Sequence, residues 1–455
     1  MKKYLPELLI GVITLALVTF APLPIWDDGT QFELLSRSIL RGEYALEPGV
    51  PSMYREPGYP LMRAMVYFVG GTPAVVLFVQ ALLAIGTALL WRRVWERIKP
   101  GTGWIGAWGT FIAYGYWLFA RQHAYEVLIG FLLALGTLVF LRFAYDRKPG
   151  FAALSGLIFG ALATTRGVFL FLFIPMIAFV LWYARGEFKD VAKRKVLLVG
   201  SLLFIVSSIA LPAAWMTRNS LVLNSGGIAS RPGLVLHARA LKTEASWGQY
   251  GASLLGTFTG DAILKAVAPG LRPIDRQHTA QLDIERERIA RELGTESTDM
   301  RVDDAMMEQA KEMIFRSPES FAKYAAWTLI DDIRLVSVPS FSTPWGTMEP
   351  MFLHLDRLGA KHVLFLLIAA IMNLIWLIGG VAGCYLGWKY FRERFVIAVP
   401  YVYLLAIHSP LDNVVRFSAA IQPIIGGFVV FSLALFVQSR WPKLSRRVFP
   451  AIEVK

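Results

Sequence analysis

Long apolar runs parted by short basic segments constrain this chain more than any other feature. A membrane-spanning helix needs about 20 mostly apolar residues. Runs that meet or approach that length lie at 5–25, 73–91, 103–120, 124–143, 150–164, 167–184, 196–215, 362–388, 395–408 and 417–438. The 150–164 run contains glycine and threonine and also reads as a re-entrant or tilted piece. The predicted fold class is all-α and polytopic, with about 10 or more transmembrane helices. Composition agrees: 17% of residues are charged and the mean hydropathy is +0.50, whereas a soluble domain carries about 25% charged residues.

The net charge of +13 could suggest nucleic acid, but Lys and Arg cluster in short segments beside the apolar runs, as positive-inside flanks do. No nucleic-acid partner is expected. The single cysteine, Cys384, sits in an apolar run, so neither an intrachain disulfide nor a cysteine-based metal site is open to the chain. Met1-Lys2-Lys3 followed by an apolar run resembles a secretory signal. The run is longer than a usual signal core, and Asp27 and Asp28 stand where a small-residue cleavage site would fall. It reads as an uncleaved first helix.

With the N-terminus in the cytoplasm and the runs alternating, every inside loop is basic. These loops hold Arg92, Arg93, Arg97 and Lys99; Arg142, Arg147 and Lys148; Arg185, Lys189, Lys193, Arg194 and Lys195; Lys389, Arg392 and Arg394; and Arg440, Lys443, Arg446 and Arg447. Both termini are then cytoplasmic. The chain divides into a transmembrane module at 1–215 with a first outer loop at 26–72, a large outer region at 216–361, C-terminal spans at 362–438 and a basic cytoplasmic tail at 439–455. The outer region is too long for a plain connection. Helical patterning appears there at 279–293 and 303–316. Ser317-Pro318 then reads as an N-cap followed by proline at the first helical position, opening a helix to about Leu335 that is amphipathic enough to lie on the membrane surface.

Charged residues at the mouths of the outer face are the candidates for chemistry, because charge at membrane depth needs a partner or a task. Asp27 and Asp28 end the first run. Asp28-Gly29-Thr30-Gln31 fits a capping box, followed by an apolar stripe of Phe32, Leu35, Ile39 and Leu40. That duty for Asp28 leaves Asp27 as a candidate general base. Arg55, in Tyr54-Arg55-Glu56-Pro57-Gly58-Tyr59-Pro60, is either an interface anchor paired with Glu56 or a phosphate contact. Tyr54 and Tyr59 suit the interfacial belt or a sugar, as does Trp247. Glu126 either binds substrate hydroxyls or neutralises Arg121, and His123 beside it reads as a hydrogen-bonding residue rather than a ligand. Arg166, Arg218 with Asn219, and Arg416 with nearby His408 and Asp412 add outer cations. Each alone is a snorkelling anchor; together they favour an anion site. None of the six histidines forms a ligand-spaced pair, so no metal site is readable and divalent-metal use stays open.

In order and spacing these residues resemble the polytopic GT-C superfamily glycosyltransferases that use polyprenyl-phosphate-linked sugars, nearest to the protein O-mannosyltransferase and aminoarabinose-transferase type. The match rests on Asp27-Asp28, Phe32 and Leu40-Arg41-Gly42-Glu43-Tyr44; on the segment from Arg55 to Pro60; on Glu126; on Gly160 to Arg166; on Pro212, Trp215 and Arg218-Asn219; and on Arg416-Phe417 with Pro423. The acidic pair is Asp-Asp where the family favours Asp-Glu, Phe417 replaces a tyrosine, and two alanines split the Pro-Trp pair. Segment 236–361 has no counterpart in the resemblance.

The resemblance implies a GT-C-like fold in the plasma (inner) membrane and an inverting transfer of a sugar to an acceptor hydroxyl at the extracytoplasmic face. Asp27 would be the base, Asp28 and Glu126 supporting acids, and Arg55, Arg166, Arg218 and Arg416 the donor-phosphate contacts. Tyr54, Tyr59, His123, Asn219 and His408 would be possible substrate contacts. The partners would be a polyprenyl-phosphate-sugar donor, a glycan, lipid or protein acceptor, and membrane lipids. The other classes open to the chain are a lipid-linked sugar flippase or transporter, which would place its charges at the membrane midplane, and a non-catalytic envelope scaffold.

Overall fold

The computed structural model describes residues 4–22, 25, 27–252, 274–297, 299–333, 361–391, 396–409, 415–443 and 452. They form a helical membrane protein. Helix α1 (Leu5–Phe20) is followed by α2 (Asp27–Ile39), a hairpin of β1 (Ala45–Glu47) and β2 (Val50–Pro51), α3 (Gly58–Phe68) and α4 (Pro73–Ile98). Then come α5 (Gly103–Ile112), α6 (Tyr114–Leu118), α7 (Glu126–Asp146), α8 (Pro149–Thr165), α9 (Phe173–Tyr183) and α10 (Val191–Leu223). The region at 216–361 holds α11 (Pro232–Leu241), α12 (Ile274–Leu293), α13 (Met300–Arg316) and α14 (Pro318–Ile333). The chain returns through α15 (Lys361–Phe391), α16 (Ala398–His408) and α17 (Gln422–Arg440).

Among the described residues, five helices are long and apolar enough to cross a membrane, and four shorter apolar ones accompany them. The outward faces carry unpartnered apolar side chains, such as Leu198, Leu202 and Val206 of α10, as a lipid-facing surface would. The chain is an integral membrane protein.

Helix pairs approach closely through small residues. A Cβ on Gly109 of α5 would lie 2.3 Å from the Gly427 nitrogen of α17, and one on Gly156 of α8 would lie 2.4 Å from the Phe204 carbonyl of α10. In lipid, where apolar burial drives helix association weakly, such contact is what holds helices together. Trp91 and Trp95 of α4 fill the centre, Trp95 lying 5.8 Å from Phe431. Glu7 of α1 and Arg92 of α4 form a buried fork-to-fork ion pair, with Arg92 Nη2 donating to Glu7 Oε2 at 2.9 Å.

Several expected spans differ in their bounds, 103–120 and 196–215 among them. The 103–120 run is not one helix: it breaks at Ala113 into α5, α6 and a 3-10 turn at Phe119–Arg121. Glycines at 103, 106, 109 and 115 weaken the helix, and the Trp117 indole donates to the Phe111 carbonyl at 2.9 Å across the break. The 196–215 run continues as helix to Leu223. Hydropathy falls at Thr217-Arg218-Asn219-Ser220, but helicity does not, and the helix stops only at Asn224, in the left-handed conformation with φ 54°.

The patterned segments of the outer region are helical, as α12, α13 and α14. Leu234, Ile289, Ala290, Val302 and Met306 form a small core there. Asp303 caps α11, accepting from the Gly233 and Leu234 nitrogens at 2.9 and 2.8 Å.

Candidate active site on the first outer loop

Helix α2 carries the acidic pair into contact with most of the other singled-out residues. It begins at Asp27 itself, two residues before the start that a cap at Asp28 requires. Asp28 and Gln31 lie three apart on one face of the helix, and both accept from one guanidinium. Arg55 Nη2 donates to Asp28 Oδ1, and Arg55 Nε donates to Gln31 Oε1 at 2.7 Å. The capping box is therefore not what these residues form. Capping and shared acceptance from one arginine ask for the same i, i+3 pair, and the buried arginine takes both acceptors. Nor does Arg55 pair with Glu56: Glu56 Oε1 instead accepts from the Gly167 nitrogen at 3.2 Å, tying the first outer loop to the end of α8.

The apolar stripe is partly as expected. Phe32 and Leu35 are buried with Ser36 and Ser38, but Ile39 is half-buried and Leu40 exposed. Phe32 sits between Tyr59, at 5.0 Å, and Tyr125, at 5.6 Å, with the Arg55 guanidinium 5.4 Å from its ring. Arg166 reaches the same group, 5.9 Å from the Tyr125 ring. Gly29 packs against His123: a Cβ there would be 3.2 Å from the His123 Cβ. Glu126 opens α7 and is buried. Asp28, Gln31, Arg55, Tyr59, His123 and Arg166 thus gather around the first turns of α2.

Tyr54 and Tyr59 are not surface anchors; both are buried. The Tyr59 hydroxyl donates to Gln80 Oε1 at 2.6 Å, and Gln80 in turn donates to the Gln122 carbonyl at 2.6 Å, which fixes the turn that carries His123. Burial, with Arg63 nearby, pushes the His123 imidazole down to about 4, so it is neutral near pH 7.

The hairpin forms the other wall. Arg218 Nη1 donates to the Ser52 carbonyl at 3.0 Å and to Asn219 Oδ1 at 2.9 Å, and its guanidinium lies 5.1 Å from the Trp215 ring. Asn219 Nδ2 donates to the Gly227 carbonyl at 2.8 Å. The Tyr44 hydroxyl donates to the Arg55 carbonyl at 2.9 Å, joining hairpin and acidic helix. Between α2, the hairpin, α3 and the tip of α10 lies a cavity of about 670 Å³, lined by Ile39, Tyr44, Pro51, Leu61, Trp215 and Val222 and by the charged Glu43 and Arg218.

The side chains of Asp27 and Arg416 lie outside the described residues, as does Asp412. Arg416 is in the 3-10 stretch Val415–Ile421, which packs on α7. His408 ends α16, which touches the cluster's edge where the Tyr403 hydroxyl donates to the Val168 carbonyl at 2.6 Å. Trp247 is exposed in the outer region under Lys323, 4.0 Å away, and does not join the cluster.

Glu33 and Arg63 have no place among the sequence candidates, yet they hold α2. Arg63 is wholly buried, pairs with Glu33, and meets the Tyr67 hydroxyl at 2.7 Å. Burial alone would raise the Glu33 carboxyl; the Tyr67 hydroxyl and the Arg63 and Arg37 guanidiniums outweigh it and hold the group below its ordinary value. A lone arginine in the apolar stretch Leu61–Val66 was the available signal. Among the described residues no cluster of three or more His, Cys, Asp or Glu gathers to hold a metal.

No family model matches the chain, and no curated protein matches it. Solved structures do. The Archaeoglobus fulgidus oligosaccharyltransferase, in its complex with zinc and sulfate, aligns at TM-score 0.50 and 11% identity over 97% of this chain and 50% of its own. ArnT from Cupriavidus metallidurans, bound to undecaprenyl phosphate, aligns at TM-score 0.39 and 13% identity over 98% of this chain and 81% of its own. The arabinosyltransferase EmbB from Mycobacterium smegmatis aligns at TM-score 0.40 and 14% identity over 96% of this chain and 41% of its own. This chain spans about half the length of the oligosaccharyltransferase.

Proposed function

We propose that this chain, which has the GT-C fold, is an inverting glycosyltransferase. It moves a sugar from a polyprenyl-phosphate donor to an acceptor hydroxyl at the extracytoplasmic membrane face. The observation that carries the reading is that one segment joins the acidic start of α2 to an apolar-walled cavity at the far end of that helix: Arg55 holds Asp28, its carbonyl accepts from Tyr44, and Tyr44 and Pro57 line the cavity. The Asp28–Arg55 pair stands at one end of the hairpin, and Arg218 stands in the cavity wall at the other. A lipid chain suits the apolar wall, and a guanidinium suits its phosphate.

In this scheme Asp27 accepts the proton of the acceptor hydroxyl. The acceptor oxygen bonds to the anomeric carbon from the face opposite the leaving group, and the bond from that carbon to the phosphate oxygen breaks. The electron pair leaves on the lipid phosphate. Arg218, with Arg166 and Arg416, stabilises the charge that builds there. Arg55 does not contact phosphate in this reading. It holds Asp28 and Gln31, and so fixes the turn that presents Asp27. The first loop at 26–72 carries the base, Arg218 and Arg416 add phosphate contacts from beyond residue 215, and the rest of the region at 216–361 faces the acceptor.

The test is release of sugar from a polyprenyl-phosphate donor by the purified full chain and by Asp27→Asn, with a mixed acceptor extract. Turnover by wild type alone, with unchanged thermal midpoint, supports Asp27 as base. Equal turnover moves the base elsewhere, Glu126 first. No turnover by either, with lipid flipping in vesicles, removes the reading in favour of transport.

A further inference from the structure

Residues 52–55 form a partition with different chemistry on its two flanks. Arg218 of α10 holds the Ser52 carbonyl and lines the apolar-walled cavity. The Ser230 nitrogen holds the Met53 carbonyl at 2.9 Å, which brings the outer region against the same segment. That region then places two cations on Tyr54. Arg231 lies 5.0 Å from the Tyr54 ring, and Arg286 Nη1 donates to the Tyr54 hydroxyl at 3.3 Å. Arg55 is also 5.4 Å from the ring. Arg286 and Tyr54 line a narrow crevice with Ser230, Asp299 and Asp303, and none of its residues lines the cavity of Arg218.

The charges here are not balanced. Arg55 is neutralised by Asp28. Asp299 pairs with Arg301 at 2.9 Å, and Asp303 spends its oxygens on the start of α11. Arg231 is near enough to Asp303 to favour its carboxylate, but among the described residues neither Arg231 nor Arg286 makes an ion pair within 4 Å. Stacking on Tyr54 accounts for one cation. A second at the hydroxyl adds repulsion with no paired charge in return, an arrangement that an anion would stabilise. Both arginines are half-buried, so part of each guanidinium faces out. The crevice holds only about 10 Å³, so the place for an anion is at its mouth.

We propose that Arg231 and Arg286 bind an anionic group, phosphate or carboxylate, carried by the acceptor. This rests on the glycosyltransferase reading above. The anion is a handle and not the nucleophile: it holds the acceptor by the outer helices while a neighbouring hydroxyl reaches the start of α2. The donor phosphate belongs to Arg218 across the partition.

The experiment uses the full chain in detergent and measures binding of two probes. Glycerol phosphate, with glycerol as control, reports the acceptor handle, and polyprenyl phosphate reports the donor. Weakening of glycerol phosphate by tenfold or more in R231Q/R286Q, partial recovery in R231K/R286K and retention in R218Q support two separate sites. Polyprenyl phosphate should show the reverse, weakened in R218Q and retained in R231Q/R286Q. Thermal midpoints of all variants, with the lysine pair as the charge-conserving control, separate binding from misfolding. Glycerol phosphate binding no tighter than glycerol, or unchanged in R231Q/R286Q, overturns the proposal. So does equal loss in R218Q, which would mean one phosphate site belonging to the donor. Arginine-dependent binding of glycerol phosphate without any binding of polyprenyl phosphate supports the anion site and removes the donor reading.

Discussion

Arg63 of α3 and Glu33 of α2 are joined by a salt bridge whose cationic member is wholly out of solvent, 0% exposed against 14% for the carboxylate. The pair fixes the middle of α2 as Arg55 fixes its beginning. Removing one partner of a buried pair costs about 3–5 kcal/mol, and replacing both by apolar groups costs far less. Glu33→Gln should therefore lower the thermal midpoint sharply, and Glu33→Leu with Arg63→Met should recover much of the loss. A double-mutant cycle in detergent checks this.

Arg55→Lys should act as a severe change despite keeping the charge. An ammonium is a point charge and does not reproduce the planar fork that meets Asp28 and Gln31 together. The expected result is a fall in kcat of about ten- to a hundredfold with little change in donor KM, since losing one well-placed contact in an active site costs about that or more. Steady-state kinetics on the donor distinguish this from a phosphate-binding role, which would move KM.

Stability should fall as the pH drops below neutrality. His123 titrates near 4 in the fold because of its burial and Arg63, against about 6.5 in an unfolded chain. The unfolded state binds the proton first. The stability His123 contributes is therefore complete above about pH 6.5 and is lost as pH falls toward 4, up to about 3 kcal/mol in all. His237, also lowered by burial, adds in the same direction. His123→Gln should flatten the decline between pH 6.5 and 5, while Glu33, held below its ordinary carboxyl value, acts only at lower pH. Thermal midpoints across that range decide it.

Gly109→Ala should separate α5 from α17, because the added carbon meets the Gly427 backbone and not a flexible side chain. Overpacking of this kind costs about 1–3 kcal/mol. Gly150→Ala, with nothing within 4 Å of the new carbon, should leave the thermal midpoint nearly unchanged and serves as the control.

The apolar runs were legible because hydropathy reports residence in lipid, and they correspond to helices. Their ends were less so. Hydropathy marks where lipid stops, so it placed the end of the 196–215 run at Trp215 while the helix goes on to Leu223. The hairpin around Pro48-Gly49 is held by tertiary contacts such as Tyr44 to Arg55, for which two strands of three and two residues carry almost no local pattern. Asp28, Arg55 and Arg166 were legible as candidates because charge near lipid is costly. Their partners were not: Glu56 is the adjacent acid, yet Arg55 reaches Asp28, 27 positions away. Arg231 and Arg286 carried no signal, since an arginine before a Pro-Gly helix start, or one in a polar helix, is ordinary until a fold sets it against Tyr54.

Helix α10 has mechanical consequences. Gly156 and Gly160 of α8 grip it from Phe204 to Ser208, and Pro212 follows just above, where a backbone hydrogen bond is missing. From there to Leu223 runs a stiff blade of about 17 Å, at 1.5 Å per residue. A swing of about 10° at the proline would carry its tip through roughly 3 Å, a displacement large enough to widen or shut the space beside Trp215 and Val222. Through Arg218 and Asn219 the blade is also fastened to residues 52 and 227. A tilt at Pro212 would therefore move the cavity wall at Trp215 and Val222 and the segment that leads to Arg55 together.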